Sequence, residues 1–188
     1  MYKRESSNSP VSVKENVPFS ASNVLYGCEV VPVDSERPSR FSPGANYIKW
    51  FKNINKEAGK EPDSWVAVRR SDGGVDIYPV AVWCEEFEKL QEHCEQNPND
   101  SINIARYELF IMSVVTEGKF DSSLRMNLKH KNLCLNEEDN GEVVIVGRGN
   151  YFTVYTRTQY EENSQNYTTE IARTLGMSAA QLSEASVN

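Results

Sequence analysis

The chain has 188 residues, a net charge of −7 at pH 7 and a hydrophobic fraction of 39%. This composition is typical of globular proteins and allows a core, and no apolar run approaches the ~18 residues that a membrane-spanning helix needs. The acidic balance argues against general nucleic-acid binding, because contacts to phosphate require Lys and Arg. Any DNA binding would therefore depend on a local basic patch.

The first residues of the chain indicate its cellular compartment, and the cysteines indicate whether it binds a metal. Residues 1–22 are polar and Ser-rich, without the apolar stretch of a secretory signal. We therefore expect a disordered N-terminal arm and a cytoplasmic protein. Four scattered cysteines without a CxxC pair, and only two histidines, indicate reduced thiols and not a zinc site. No metal or other cofactor is expected.

The first part of the chain alternates strand and turn patterns. Residues 23–33 predict a strand that leads into an acidic loop containing Pro and Arg. Residues 47–51 have mixed periodicity, and residues 53–63 are interpreted as a charged insertion with Gly and Pro. Two strands, at 65–68 and 75–78, flank a Ser-Asp-Gly-Gly sequence, which favours a hairpin because glycine accepts positive φ.

Two helices are predicted next, each with apolar residues on one face. Pro79 suits the start of the first helix, and the Asn-Pro-Asn-Asp sequence 97–100 ends it. The two stripes are Trp83, Phe87, Leu90 and Cys94, and then Ile104, Tyr107, Ile111 and Val114. A ligand-binding surface is one interpretation of these stripes, but packing in the core is the better one at this spacing. His93 has no orienting partner for catalysis and is expected to be an exposed helix residue.

The second part of the chain returns to strands. A strand is predicted at 115–120, followed by a loop to residue 131 and an apolar stretch at 132–135. After an acidic turn, the strands 142–146 and 151–155 flank a Gly-Arg-Gly-Asn turn. A short helix is expected to begin over 157–163. The tail, 164–188, is low in apolar residues and is interpreted as peripheral, with one helix from Glu170 to Leu175.

The same order of parts occurs twice. Residues 65–85 align with 142–162 at an offset of 77, which matches Tyr78 with Tyr155, Trp83 with Tyr160 and Glu85 with Glu162. In the preceding loops, Glu36 and Arg40 match Asp121 and Arg125 at an offset of 85. The charged insertion at 53–63 absorbs most of the difference between the two offsets. The sequence therefore predicts an internal repeat.

This ordered set resembles the MraZ family of bacterial transcriptional regulators over about residues 24–163. The matching features are a loop with an acid four residues before an arginine, a hairpin, the Tyr-Pro-x-x-x-Trp sequence 78–83, two helices, and then loop and hairpin again. EGKFDSSLRMNL, residues 117–128, is similar to the family's DxxxR segment. The departures are Glu36 for Asp, Leu124 for Gly, Lys129 for Pro and Tyr160 for a second Trp. A register based on Asp34 was considered, but its fourth residue on is Pro38, which favours Glu36 with Arg40.

The resemblance implies an α+β, mainly β fold. Two swapped-hairpin AbrB-like halves would form a pseudo-twofold small barrel, with helices between and after the hairpins. The implied division is a first SpoVT/AbrB-like repeat with its helix over 23–95, and a linking helix with the second repeat over 96–163. The family forms rings, which would add weak contacts to repeated DNA sites through effective concentration.

The candidate DNA-binding residues are the basic residues of the two loops, since arginine recognises phosphate and guanine edges through its planar fork. They are Arg37, Arg40, Arg125, Lys129, His130 and Lys131. The motif acids, Glu36 and Asp121, are expected to structure the loops by pairing with an arginine.

Three functions are compatible with the sequence. The first is a sequence-specific regulator of the MraZ type, a nucleoid-associated repressor of the division and cell-wall gene cluster that binds double-stranded DNA as a homo-oligomeric ring. The second is a ring-forming interaction protein that has lost specific DNA binding. An enzyme is a distant third, because no catalytic constellation is present; no membrane or small-molecule substrate is expected.

Overall fold

The computed structural model describes residues 27–128 and 141–174, so the predicted arm at 1–22 lies outside the described residues. The described strands are β1 (Cys28–Asp34), β2 (Arg37–Phe41), β3 (Ser64–Arg69), β4 (Val75–Pro79), β5 (Val114–Lys119), β6 (Met126–Asn127), β7 (Glu142–Gly147) and β8 (Phe152–Thr156). The described helices are α1 (Ala45–Glu57), α2 (Val80–Gln96), α3 (Ser101–Met112) and α4 (Arg157–Thr174). The predicted mixture of helix and strand is confirmed.

The strands form one antiparallel sheet in the order β5-β3-β4-β8-β7-β1-β2-β6. The β3–β4 hairpin lies between β5 and β8, and the β1–β2 hairpin lies between β7 and β6. Each hairpin from the first part of the chain is thus flanked on both sides by strands from the second part. The two end strands, β5 and β6, are in contact, and the sheet is a nearly closed barrel.

Two pairs of residues lie at two of the four places where described strands from the two parts of the chain pair. Asp76 in β4 pairs with Thr153 in β8, which lies 77 residues later. Phe41 in β2 pairs with Met126 in β6, and 126 − 41 = 85. These two separations equal the two offsets at which the sequence matches itself.

The main core lies between the sheet and α1. The ring of Phe51 is fully buried and meets the rings of Phe120 and Phe152 at centroid distances of 5.6 and 5.3 Å. Burying one such side chain stabilises a fold by roughly 1.5–3 kcal/mol. Tyr47 and Ile48 lie on the same helical face and are also buried. The mixed periodicity at 47–51 is therefore helical.

The prediction of an insertion over 53–63 was wrong for its first residues, since α1 continues to Glu57. The reason is tertiary. Asn55 is buried, and its amide nitrogen donates to the carbonyl oxygens of Pro62 and Ser64 at 3.2 and 2.7 Å. Its side-chain oxygen accepts the N–H of Ala81 at 3.0 Å. One polar side chain thus fixes the end of α1, the following turn and the start of α2.

Helices α2 and α3 pack against each other through the predicted aromatic stripes. Trp83 stacks on Phe87 and on Phe110, with centroids 5.3 and 5.9 Å apart, and Phe87 meets Tyr107. The interpretation of the stripes as packing surface is confirmed for Trp83, Phe87 and Tyr107. It is wrong for Ile111, which is exposed, and Phe110, outside the predicted stripe, packs on Trp83 instead. His93 is exposed at the end of α2, as predicted.

Some of the other local predictions are confirmed and others are wrong. The turns at 71–74 and 147–150 close hairpins, and Gly73 has a φ of +89°. Val114, assigned from its spacing to a helix, instead begins β5. The helix expected to begin over 157–163 continues to Thr174. None of the helices in the described ranges is both long and apolar enough to span a bilayer.

Candidate nucleic-acid interface

The two predicted loops lie side by side at one end of the sheet. Arg40 in β2 pairs with Asn127 in β6, and the N–H of Leu128 donates to the carbonyl oxygen of Ser39 at 2.8 Å. The Ser42 hydroxyl donates to a backbone carbonyl of the second loop, at Leu124. Strand pairing between residues about 85 positions apart therefore places both arginine-bearing segments on one surface.

The second loop is organised by Asp121. One oxygen of its carboxylate accepts the backbone N–H groups of Ser123 and Arg125, at 2.8 and 2.9 Å. The Asp121 N–H donates to the carbonyl oxygen of Arg125 at 2.8 Å, which closes the loop. Asp121 therefore holds the loop closed through hydrogen bonds to its backbone.

Leu124, within that loop, has a φ of +58°. Side chains with a Cβ rarely adopt this conformation, which costs roughly 1–2 kcal/mol in an L-residue. Glycine adopts it freely, and this is the position where the motif usually has Gly. Leu124 therefore occupies a backbone conformation that glycine would adopt without this cost.

In the first loop, Asp34 performs the corresponding task. Residues 35–36 form a two-residue turn between β1 and β2, and the N–H of Glu36 donates to the Asp34 carboxylate at 3.0 Å. The side chain of Glu36 is exposed at this turn. The strand register shifts between Val33 and Asp34, and Arg40 follows Asp34 by six positions, 40 − 34, instead of four. Sequence spacing missed Asp34 because the first loop is two residues longer than the four-residue motif.

The arginines reach across to the acid of the other loop. Arg40 donates from Nη2 to an oxygen of Asp121. Arg125 Nη1 lies 3.9 Å from an Asp34 oxygen, and Arg125 Nε lies 3.5 Å from Asp121. The predicted pair between Glu36 and Arg40 was wrong, since the bulge in β2 directs Arg40 to the second loop. We call these four residues, Asp34, Arg40, Asp121 and Arg125, the motif cluster.

The electrostatics of the motif cluster are dominated by its closest pair. The hydrogen bond from Arg40, together with the backbone N–H groups of Arg125 and Ser123, lowers the pKa of Asp121 to about 2. Asp121 is therefore a carboxylate at neutral pH, and the cluster holds two positive and two negative charges.

The exposure of the basic residues differs. The Arg40 side chain is 19% exposed and that of Arg125 is 36% exposed. Arg37 is exposed on β2, beside the loop. The remaining predicted contacts lie outside the described residues: Lys129, His130 and Lys131. Within the described ranges, no group of His, Cys, Asp and Glu side chains is arranged to hold a metal ion.

The fold and the cluster together define a barrel-like α+β protein that presents two arginine-bearing loops on one surface. No protein-family model matches the chain. Over 105 residues, 55% of this chain and 67% of the relative, it is 28% identical to a protein of Syntrophotalea carbinolica. That relative is named Transcriptional regulator MraZ, which supports a distant MraZ-like relationship.

Proposed function

We propose that the protein is a transcriptional regulator of the MraZ type that binds double-stranded DNA through its two arginine-bearing loops. The observation that carries the proposal is the adjacency of these loops, which brings Arg40 and Arg125 into contact with the same carboxylate, that of Asp121; Arg37 is exposed at the start of β2. Arginine is the residue best suited to phosphate and to the guanine edge. Lys129, His130 and Lys131 follow Arg125 along the chain and would add positive charge. The relative's name describes a regulator and not an enzyme.

We also propose that the chain is a duplication of two AbrB-like halves. The strand pairs at Asp76 with Thr153 and at Phe41 with Met126 support this, because a pseudo-twofold axis at each pair would exchange residues 77 and 85 positions apart. The exchange of hairpins between the two parts of the chain supports it further. In a duplication, each loop has an equivalent beside it, which doubles the contacts to DNA.

Self-association is the third part of the proposal. An acidic chain with a small basic surface needs several copies of that surface to bind DNA well. Helix α3 supports an oligomer, since its outward face carries Ile102, Leu109 and Met112, of which Met112 is 80% exposed. Apolar side chains exposed in a group are typical of protein–protein contacts. A ring-forming repressor of the division and cell-wall gene cluster, located in the cytoplasm at the nucleoid, is the form that this function takes in the MraZ family.

One observation favours the second candidate, a ring-forming interaction protein without specific DNA binding. The two motif arginines face two carboxylates, and the cluster has no net charge. The DNA hypothesis requires that phosphate or base acceptors compete with those carboxylates, whereas the interaction hypothesis requires no such exchange.

DNA binding separates the two candidates. Duplexes recovered by the full-length protein from a random-sequence pool are labelled and titrated in a salt series by fluorescence anisotropy. We expect binding that weakens steeply with salt, and at least a tenfold loss of affinity when Arg40→Ala and Arg125→Ala are combined. Lys89→Ala, which removes a positive charge from the exposed face of α2, is the control and should bind as the wild type does. An oligomer that enriches no sequence would favour the interaction protein.

A further inference from the structure

The two motif arginines have equivalent places in sequence but different surroundings. Arg40 is mostly buried, lies in β2 opposite Asn127 and donates to the Asp121 carboxylate. That carboxylate organises the second loop through two backbone N–H groups. Arg40 therefore helps to hold the second loop in place, although it lies in β2, beside the first loop.

Arg125 is held more loosely. Its distances to the carboxylates of Asp121 and Asp34, 3.5 and 3.9 Å, are those of ion pairs and are too long for good hydrogen bonds. Its Nε is buried and has no hydrogen-bond acceptor within the described part of the chain, so it is not the donor that a ligand reaches. The guanidinium has five N–H donors in a planar fork, and the side chain is 36% exposed. The Nη groups of Arg125 are thus the donors that a ligand with closely spaced acceptors would satisfy.

Asp34 limits where the Arg125 fork can point. One of its oxygens accepts the N–H of Glu36, which fixes the carboxylate at the turn, and the other faces Arg125 Nη1. An ion pair at this distance attracts the guanidinium without using its donors fully. A phosphate or the O6 and N7 atoms of guanine would offer acceptors at hydrogen-bond distance and in the matching geometry.

We infer that the two motif arginines have different roles: Arg125 contacts DNA, whereas Arg40 is a positioning residue that fixes the second loop through Asp121. Asp34 is a second positioning residue, which orients Arg125. The inference rests on the proposed function for the contact made by Arg125. The link between Arg40 and Asp121 is a property of the fold and is measurable without DNA.

The test compares Arg40→Gln with Arg125→Gln in the full-length protein. Affinity is measured on the labelled duplex recovered from the random-sequence pool, well below the melting temperature, and Tm is measured separately. Arg125→Gln should weaken binding at least tenfold and reduce the salt slope by about 1, with Tm within about 2 °C of the wild type. Arg40→Gln should lower Tm by about 3 °C or more and weaken binding only about two- to threefold.

Two further variants separate positioning from contact. Arg40→Lys keeps a donor for Asp121 and should recover most of the wild-type Tm and affinity, whereas Arg125→Lys, which lacks the fork, should not recover the affinity. Combining Arg40→Gln with Asp121→Asn should lower Tm little more than the worse single variant, since both remove the same contact.

The outcomes are distinct. Equal losses of affinity from Arg40→Gln and Arg125→Gln at unchanged Tm would overturn the division of roles while leaving the proposed function intact. Wild-type affinity in Arg125→Gln would do the same. If the wild type binds no duplex, the proposed function and the contact by Arg125 both fail, and the Tm series alone decides whether Arg40 positions the loop.

Discussion

Strands from the two parts of the chain pair at several places, and two of these, β4 with β8 and β2 with β6, differ in how their polar groups are buried and hydrogen-bonded. At the first, a network of Arg70, Asp72, Asp76, Arg148, Thr153 and Tyr155, here called the Asp76 network, surrounds the β4–β8 pair. Thr153 is fully buried and its hydroxyl donates to Asp76, itself 6% exposed, at 2.7 Å. Arg70 donates to Asp72 and Asp76, and the Tyr155 hydroxyl donates to Asp72. At the second place, the motif cluster is partly exposed, and the Arg125 guanidinium lies 3.5 and 3.9 Å from the carboxylates of Asp121 and Asp34.

The difference separates groups that the fold needs internally from groups that can serve a ligand. A buried carboxylate without a partner is costly, so the Asp76 network must be satisfied internally for the barrel to close. The motif cluster is partly exposed, and the Arg125 side chain, 36% exposed, can stay available to a ligand there. Stability should therefore depend on the first place more than on the second, and ligand binding should depend on the second alone.

The largest expected effect is at the Asp76 network. Thr153→Val keeps the shape of the side chain but removes the donor to Asp76 and the acceptor of a bond from Arg148 Nε. We expect a loss of about 1–3 kcal/mol in the free energy of unfolding, because a buried acceptor is left unsatisfied, measured by urea denaturation. DNA affinity of the folded variant should not change. Thr116→Val, on strand β5, is the control and should cost less than about 0.5 kcal/mol; an equal cost would remove the contrast between the two places.

The pH dependence of stability should have opposite signs at the two places. The folded pKa of Asp121 is about 2, below its usual value, through the hydrogen bond from Arg40. Its contribution is therefore present above about pH 4 and is lost as the pH falls toward 2. Burial raises the pKa of Asp76, and the charged form is penalised in the folded state. Asp76 should thus destabilise the fold as the pH rises above its unfolded pKa.

Urea denaturation of the wild type, Asp121→Asn and Asp76→Asn between pH 2.5 and 7 measures both signs. The stability difference between the wild type and Asp121→Asn should shrink in acid, whereas the wild type should gain relative to Asp76→Asn there. Parallel curves for the three proteins would show that neither carboxylate differs between the folded and unfolded states as the contacts require.

Features of the fold that depend on residues close together in sequence could be predicted, whereas features that depend on distant contacts could not. The hairpin turns at 71–74 and 147–150 and the facing stripes of α2 and α3 depend on glycine conformation and helical periodicity within a few residues, and these were predicted. The end of α1 was not predicted, because Asn55 is buried only through partners beyond the helix, among them Ser64 and Ala81. A polar residue satisfied by tertiary contacts has the sequence signature of a surface residue.

The same reasoning applies to the candidate site. The second loop follows the motif spacing, so Asp121 and Arg125 were identified from sequence. In the first loop, the acid that accepts a backbone N–H of the turn is Asp34, which lies two residues farther from Arg40 than the motif spacing requires. The spacing therefore selected Glu36 in place of Asp34. The cross-loop pairing of Arg40 with Asp121 joins residues 81 positions apart, which no local pattern predicts.

A smaller effect is expected from the backbone of the second loop. Leu124→Gly replaces a residue at φ +58° with one that adopts this conformation without a steric penalty. We expect a gain of about 0.5–1 kcal/mol in the free energy of unfolding, since the greater chain entropy of glycine offsets part of the relief. Leu109→Gly, in the interior of α3, is the matched control and should destabilise the protein. A loss in both variants would show that the loop has another backbone conformation in solution.

The smallest effect tests which acid belongs to the first loop. Asp34→Ala removes the acceptor of the Glu36 N–H and the ion pair to Arg125, and should cost roughly 0.5–1 kcal/mol, as exposed turn contacts do. Glu36→Ala keeps the backbone N–H that makes this bond and removes only an exposed side chain, so its cost should stay below about 0.5 kcal/mol. The two variants lie two positions apart, 36 − 34, and both remove one negative charge, so nonspecific charge effects cancel in the comparison. A larger cost for Glu36→Ala would return the acid of the first loop to the position that spacing selects, and would make the two loops equivalent after all.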